Sequence, residues 1–274
     1  SFVYNIFLSI AGGYLVIMNS IRSINTIIAI YYNKLIYSLV VSLVFVGVCH
    51  ADPKVYSPIV NKGEFAVEVR GNTTIDDDDD NDGSQRHVFL VEYGVTDWWK
   101  TEIVARLNER ARGPLRYDST AWENIFQLTE KGKYWLDAGL YLEYKLKDEK
   151  DAPDIFEGKL LLQKTVTDYQ NTLNLTMEQE LGSDGDDDLE FEYAWRTRKG
   201  IGHHMKLGFE AFGKLGELRN LETLEDQTHI IGPVFYHEFA LGTSGELEYN
   251  IGWLVGLTEA SPDNTFRWQL EYKF

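Results

Sequence analysis

The chain has 274 residues and a formal charge of −17, from 26 Lys+Arg against 43 Asp+Glu, with a single cysteine. A mean hydropathy of −0.28 excludes a polytopic helical membrane protein, and a pI near 4.7 argues against a nucleic-acid binder, which needs a basic stripe to displace counterions. One cysteine permits neither an internal disulfide nor a cysteine-based zinc site, and an aromatic content of 14% is too high for a disordered acidic chain.

The charge is unevenly placed. Residues 1–51 carry only Arg22 and Lys34 and no acid, so the remaining chain holds 24 Lys+Arg against 43 Asp+Glu. Residues 1–33, with the apolar stretch Phe2–Met18, read as an upstream extension and are set apart from the fold. Residues 34–51 read as a signal peptide. Lys34 supplies the positive start, Leu35 to Val48 form a 14-residue apolar stretch, and Cys49-His50-Ala51 offers small residues at −3 and −1 before Asp52. A retained anchor helix is the alternative, although fourteen residues are short for a span. Residues 52–62 are expected to be a short periplasmic N-terminal segment, and 63–274 the folded domain.

From Gly63 onward the dominant pattern has period two. Phe65/Val67/Val69 alternate with Glu64/Glu68/Arg70, and Phe89/Val91/Tyr93/Val95 form a second apolar set. Ile103 and Ala105 oppose Lys100, Glu102 and Arg106, Trp122 and Phe126 oppose Glu123, and Leu140/Leu142/Tyr144 oppose Glu143/Lys145. Phe156/Leu160/Leu162 oppose Glu157/Lys159, Leu173/Leu175/Met177 oppose Glu178, and Phe191/Tyr193/Trp195 oppose Glu190/Glu192/Arg196. Leu207/Phe209 oppose Lys206/Glu210, Thr228 to Glu238 is a weak run broken by Pro233, and Tyr249/Ile251/Trp253 oppose Glu248/Asn250. The last run has Phe266, Trp268, Leu270, Tyr272 and Phe274 on one face, with Arg267, Gln269, Glu271 and Lys273 on the other. These make twelve candidate strands, joined alternately by long polar segments (76–84, 109–118, 147–154, 182–188, 213–227, 258–264) and short ones.

A strand of about ten residues, rising ~3.3 Å each and tilted by ~40°, spans roughly 25 Å of hydrocarbon. Strands that cross lipid must close on themselves, because no backbone polar group can be left unpaired there. The expected fold is therefore all-β: a closed antiparallel transmembrane β-barrel of about twelve strands, with long outer loops and short periplasmic turns. Trp98, Trp99, Tyr134, Trp195, Trp253 and Tyr272 are expected in interfacial girdles. A soluble β-sandwich or lipocalin-like barrel also alternates, but strand length and the charge of the polar face weigh against it.

The terminal FRWQLEYKF, with Tyr272 and Phe274, resembles the C-terminal recognition strand of Gram-negative outer-membrane proteins, which implies an outer-membrane location and contact with the barrel-assembly machinery. KGEFAVEVRG (62–71), YGVTDWWKTEI (93–103) and THIIGPVFY (228–236) resemble poorly characterised transporter-like barrels associated with aromatic-degradation pathways. That likeness carries no catalytic motif.

The expected lumen-lining residues are Arg70, Lys100, Glu102, Arg106, Glu123, Glu143, Lys145, Glu157, Lys159, Glu178, Glu192, Arg196, Glu210, Glu248, Arg267 and Glu271. They suit either a salt-bridged filling or a hydrated lumen passing small polar solutes, the acid excess favouring cations. The leading expectation is an outer-membrane channel or transporter, with outer-membrane lipid, the assembly machinery and a small-molecule solute as partners and no cofactor. A closed structural or interaction barrel and an outer-membrane hydrolase are the alternatives. Ser183 and Ser244 lie in loops with no nucleophile motif around them.

Asp78-x-Asp80-x-Asp82-Gly83 opens like a calcium loop, but Phe89 stands where the bidentate glutamate belongs, so a solvated acidic loop is expected. Asp184, Asp186, Asp187 and Asp188 form a second acidic cluster. His87, His203, His204, His229 and His237 are too dispersed for a shared metal site, since adjacent strand residues face opposite ways. Leu215, Leu218, Leu221 and Leu224 have helical spacing, so the 213–227 connection is expected to fold inward as a plug or to form a short surface helix.

Overall fold

The computed structural model describes residues 53–150, 152–182, 188–241 and 245–274. The signal-peptide reading of 34–51, the extension 1–33, and Ser183, Asp184, Asp186, Asp187 and Ser244 lie outside these residues. The strands are β1 (Phe65–Ile75), β2 (Gln85–Gly94), β3 (Trp99–Glu109), β4 (Arg116–Gln127), β5 (Asp137–Lys147), β6 (Asp154–Val166) and β7 (Tyr169–Leu181). They continue with β8 (Glu190–Gly202), β9 (Met205–Glu217), the two-residue β10 (Asn220–Leu221), β11 (Thr228–Ala240), β12 (Glu246–Gly256) and β13 (Asn264–Lys273).

All but β10 form the wall, each antiparallel to its neighbours, and β13 returns to pair with β1 from Ala66↔Lys273 to Ile75↔Asn264. The result is a closed twelve-stranded barrel with no free edge, which is the condition for crossing lipid with strands. Side chains alternate through this wall as the sequence does. In β1, Ala66, Glu68, Arg70, Asn72 and Thr74 are buried inside, while Phe65, Val67 and Ile75 are exposed outside. Ile103, Trp122, Leu160, Phe209 and Ile251 continue the exposed apolar face around the barrel. Burying charge inside and exposing hydrocarbon outside inverts the soluble pattern, so the outer face is solvated by lipid.

The two rims differ. The strand ends at Ile75, Glu109, Lys147, Leu181, Glu217 and Gly256 lie at one end, with the connections 76–84, 110–115, 218–227 and 257–263; those at Gly94, Gln127, Val166, Gly202 and Ala240 lie at the other, with 95–98, 128–136, 167–168 and 203–204. Thr167 and His204 adopt φ of 57° in two-residue hairpins that join β6 to β7 and β8 to β9. His203 and His204 therefore occupy a turn and do not sit on opposite strand faces. Trp98 and Tyr134 stand exposed at the short-turn rim. Trp195 differs from the girdle expectation: it lies midway along β8, opposite Leu173 and Ala211.

The weak 228–238 run is a full strand. Pro233 faces outward and has no N–H to give, and pairing with β12 lapses at Gly232 and Pro233 between Ile231↔Val255 and Val234↔Gly252. The β9 strand pairs on through this point, from Gly232↔Glu210 to Pro233↔Phe209. Gly232 allows the close approach, since a Cβ there would sit 1.9 Å from the Trp253 carbonyl oxygen. The 213–227 connection forms neither plug nor helix. β9 runs to Glu217, β10 folds back on Gly216 and Glu217, and Leu218, Leu221 and Leu224 are exposed.

Candidate functional site: a divided polar lumen

Cross-strand register places glutamates of seven consecutive strands side by side on the inner wall. The row runs Glu92↔Glu102↔Glu123↔Glu143↔Glu157↔Glu178↔Glu190, from β2 to β8. A second row runs Glu238↔Glu248↔Glu271↔Glu68, from β11 through the closure to β1. Like charges directly opposite one another destabilise a sheet, so such rows require bases woven between them.

The bases are there. Lys100 contacts Glu92 at 2.7 Å and Glu102 at 2.9 Å, and Arg106 spans Glu123 at 2.8 Å and Glu143 at 3.1 Å. Lys145 reaches Glu178 at 3.4 Å and Glu143 at 3.6 Å, Lys159 holds Glu157 at 2.8 Å, and Lys214 pairs with Glu190. Seven carboxylates thus share five bases. On the second row, Arg70 pairs with Glu68, and Lys273 contacts Glu248 at 2.5 Å and Glu271 at 3.5 Å. Glu210 takes Arg267 at 2.5 Å and the Tyr236 hydroxyl at 2.7 Å.

The segment ahead of β1 is not outside this wall. For residues 52–62 the sequence offers only a short periplasmic stretch, yet Val55, Tyr56 and Val60 are buried among inward-facing side chains of five strands. Val60 N–H donates to Gln127 Oε1 at 2.8 Å, the Ser57 hydroxyl to Gln163 Oε1 at 3.3 Å, and Arg196 Nη1 to the Val55 carbonyl at 3.3 Å. Asn174 accepts the Tyr56 N–H at 2.7 Å and donates to its carbonyl at 2.9 Å. The Tyr56 hydroxyl donates to Glu123 at 3.1 Å, its ring lies 4.7 Å from that of Tyr141, and Lys54 reaches Glu68 at 2.9 Å. Side-chain amides on β4 and β7 meet backbone groups of this segment as a neighbouring strand would, and the β6 amide of Gln163 takes the Ser57 hydroxyl.

This septum divides the interior. A cavity of about 480 Å³ opens toward the long-loop rim, and one of about 340 Å³ toward the short-turn rim. Lys54 and Tyr56 border both. Of the residues expected in the lumen, Arg106, Glu143, Lys145, Glu157, Lys159, Glu178 and Glu192 line the first chamber. Lys100, Arg196, Glu210, Glu248, Arg267 and Glu271 line the second. Arg70, Glu102 and Glu123 are buried in the wall.

Sequence reading omitted the clamp residues Asn174, Gln163 and Gln127, and also Arg198 and Tyr236. The phase of the three amides is plain in the sequence, but selection on charge passes over them, and Tyr236 lies on the strand whose phase Pro233 hides. Arg198 was legible as the second member of an Arg-x-Arg pair on the polar face.

His203 and His204 lie together in the β8–β9 turn, ring centroids 6.1 Å apart, and the other described histidines are dispersed. His87 lies beside Trp268, His229 bonds Tyr193 and Gln227, and His237 sits among Phe235, Phe239 and Tyr249. Among the described residues, Asp76, Asp77 and Asp263 bring carboxylate oxygens within 4.8 Å of one another at the long-loop rim. The neighbouring acids turn back on their own loop: Asp80 N–H donates to Asp78 Oδ1 at 3.0 Å and Asp76 N–H to Asp82 Oδ1 at 3.2 Å.

No protein-family profile matches the sequence, and no curated protein matches it. The likeness to solved structures lies in the fold. The COG4313 outer-membrane channel from Pseudomonas putida F1 superposes with a TM-score of 0.56 at 11% identity, over 82% of this chain and 99% of that one. The NanC porin superposes with a TM-score of 0.50 at 8% identity, over 76% and 100%. The chain shares with these barrels the fold of a closed antiparallel wall with an apolar exterior and a polar interior.

Proposed function

We propose that the protein is an outer-membrane channel passing small polar solutes through an acidic lumen. One observation carries this reading: polar chambers open at both rims and meet at a single segment held by side-chain hydrogen bonds. A wall of backbone ladders can stay intact while such a segment moves. The glutamate row, with more carboxylates than bases, supports cation preference. The porin and channel folds reported above agree with a conducting role. In this reading the signal peptide 34–51 is removed, Tyr272 and Phe274 are presented to the assembly machinery, and the expected residues that border the two chambers contact the solute.

The septum also favours a second reading, a closed barrel serving structure or interaction, because Tyr56 and Lys54 bridge the interior. Liposome swelling separates the two. Protein extracted from outer membranes and reconstituted in vesicles should admit small sugars and amino acids but not larger oligosaccharides. Vesicles that never swell, although the barrel is inserted, favour the closed form.

A further inference from the structure

The short-turn chamber contains an imbalance that the glutamate rows do not explain. Of the strand-borne bases lining it, Lys100, Lys206, Arg267 and Lys273 each have a carboxylate within ion-pair distance. Arg196 and Arg198, two apart on β8 and so on the same inner face, have none among the described residues. Arg196 is more than nine-tenths buried, and its Nε has no hydrogen-bond partner. Its one described contact is the neutral Val55 carbonyl at 3.3 Å. Glu210 faces Arg196 across the β8–β9 register but is committed to Arg267 and Tyr236. Arg198 donates from Nε to Gln170 Oε1 at 2.7 Å and lies 5.3 Å from the Tyr236 ring centroid.

In a chain of charge −17, two adjacent guanidiniums without a carboxylate form a receptor for one. Both rest against planar sp² oxygens, a backbone carbonyl and a side-chain amide. A carboxylate presents two such oxygens with full charge, and the rigid guanidinium fork matches that geometry better than an ammonium does. We propose that Arg196 and Arg198 form an anion subsite in the short-turn chamber that takes the carboxylate of a small solute. This rests on the channel reading: the glutamate rows favour cations in conduction, and the arginine pair gives the short-turn chamber one local site for the carboxylate of a solute. Because Arg196 also holds Val55, a bound carboxylate competes directly with one tether of the septum.

The test is equilibrium binding of sodium acetate to the detergent-extracted full chain, measured calorimetrically, with inorganic phosphate as the alternative oxyanion. A heat-modifiable gel shift first confirms that each variant is folded. Acetate should bind saturably and more tightly than phosphate. R198Q should weaken it by about tenfold, the factor for one charge-assisted hydrogen-bonding group, and R196Q/R198Q should abolish it. R198K should retain part of the affinity, since charge remains and the fork is lost. If R196Q/R198Q fails to fold, R198Q and R198K carry the test alone. Wild-type affinity in R198Q, or no saturable acetate binding to the wild type, overturns the site, and tighter phosphate binding overturns the carboxylate assignment. Conduction without acetate binding would remove the subsite and leave the channel; binding without conduction would do the reverse.

Discussion

Asn174 holds Tyr56 by both backbone groups, accepting its N–H at 2.7 Å and donating to its carbonyl at 2.9 Å. A side-chain amide here does what a neighbouring strand does in a sheet. Asn174→Leu keeps the branched outline of the side chain and removes both bonds, a loss of about 1–3 kcal/mol. The wall keeps its backbone ladder, so the barrel remains heat-modifiable while the septum loosens. Single-channel steps should grow several-fold; steps identical to wild type would mean the septum does not limit passage.

Arg106 is buried between Glu123 and Glu143. Arg106→Ala takes the guanidinium from Glu123 and leaves Glu143 to Lys145 at 3.6 Å, and breaking a buried pair from one side typically costs about 3–5 kcal/mol. The temperature at which the folded gel band disappears should fall markedly. Adding Glu123→Gln and Glu143→Gln should recover much of the loss, because the stranded charge is then gone.

Ile103 stands 56% exposed on the outer face of β3. Ile103→Lys should destabilise the barrel in phospholipid vesicles by about 2–4 kcal/mol if lipid covers this face at mid-depth. A face bathed in water would register about 0.5 kcal/mol or less. Denaturant titration of refolded protein distinguishes the two.

Phe274 donates its backbone N–H to the Phe65 carbonyl at 2.9 Å and packs its ring 4.6 Å from Tyr272, at the seam where the barrel closes. Phe274→Ala should lower the yield of folded protein in the outer membrane several-fold while leaving the melting of barrel refolded in detergent near wild type. Equal losses in both assays would assign Phe274 to stability and not to assembly.

The architecture was legible because its signal is local. Ile251 and Trp253 against Asn250, or Phe266 and Trp268 against Arg267, state which face each side chain takes without knowledge of any neighbour. What escaped depends on relations between distant residues. The glutamate row exists only through register, and nothing near Glu123 in sequence says that Glu102 and Glu143 stand on either side. The septum escaped for the same reason: Pro53–Val60 has no alternation, and its partners Asn174, Gln163 and Gln127 lie far along the chain. Pro233 hid the phase of β11, yet a closed sheet can lose one ladder bond there while β9 holds the strand in register. The leucines at 215, 218, 221 and 224 had helical spacing but no buried face to satisfy, so the chain extends β9 instead.

Single-channel recording of the full chain, extracted from outer membranes and inserted into a planar bilayer, decides whether the lumen conducts. Discrete, cation-preferring steps are expected, small in the wild type and larger in Asn174→Leu. An inserted, heat-modifiable barrel that never conducts, in either form, would contradict the channel reading.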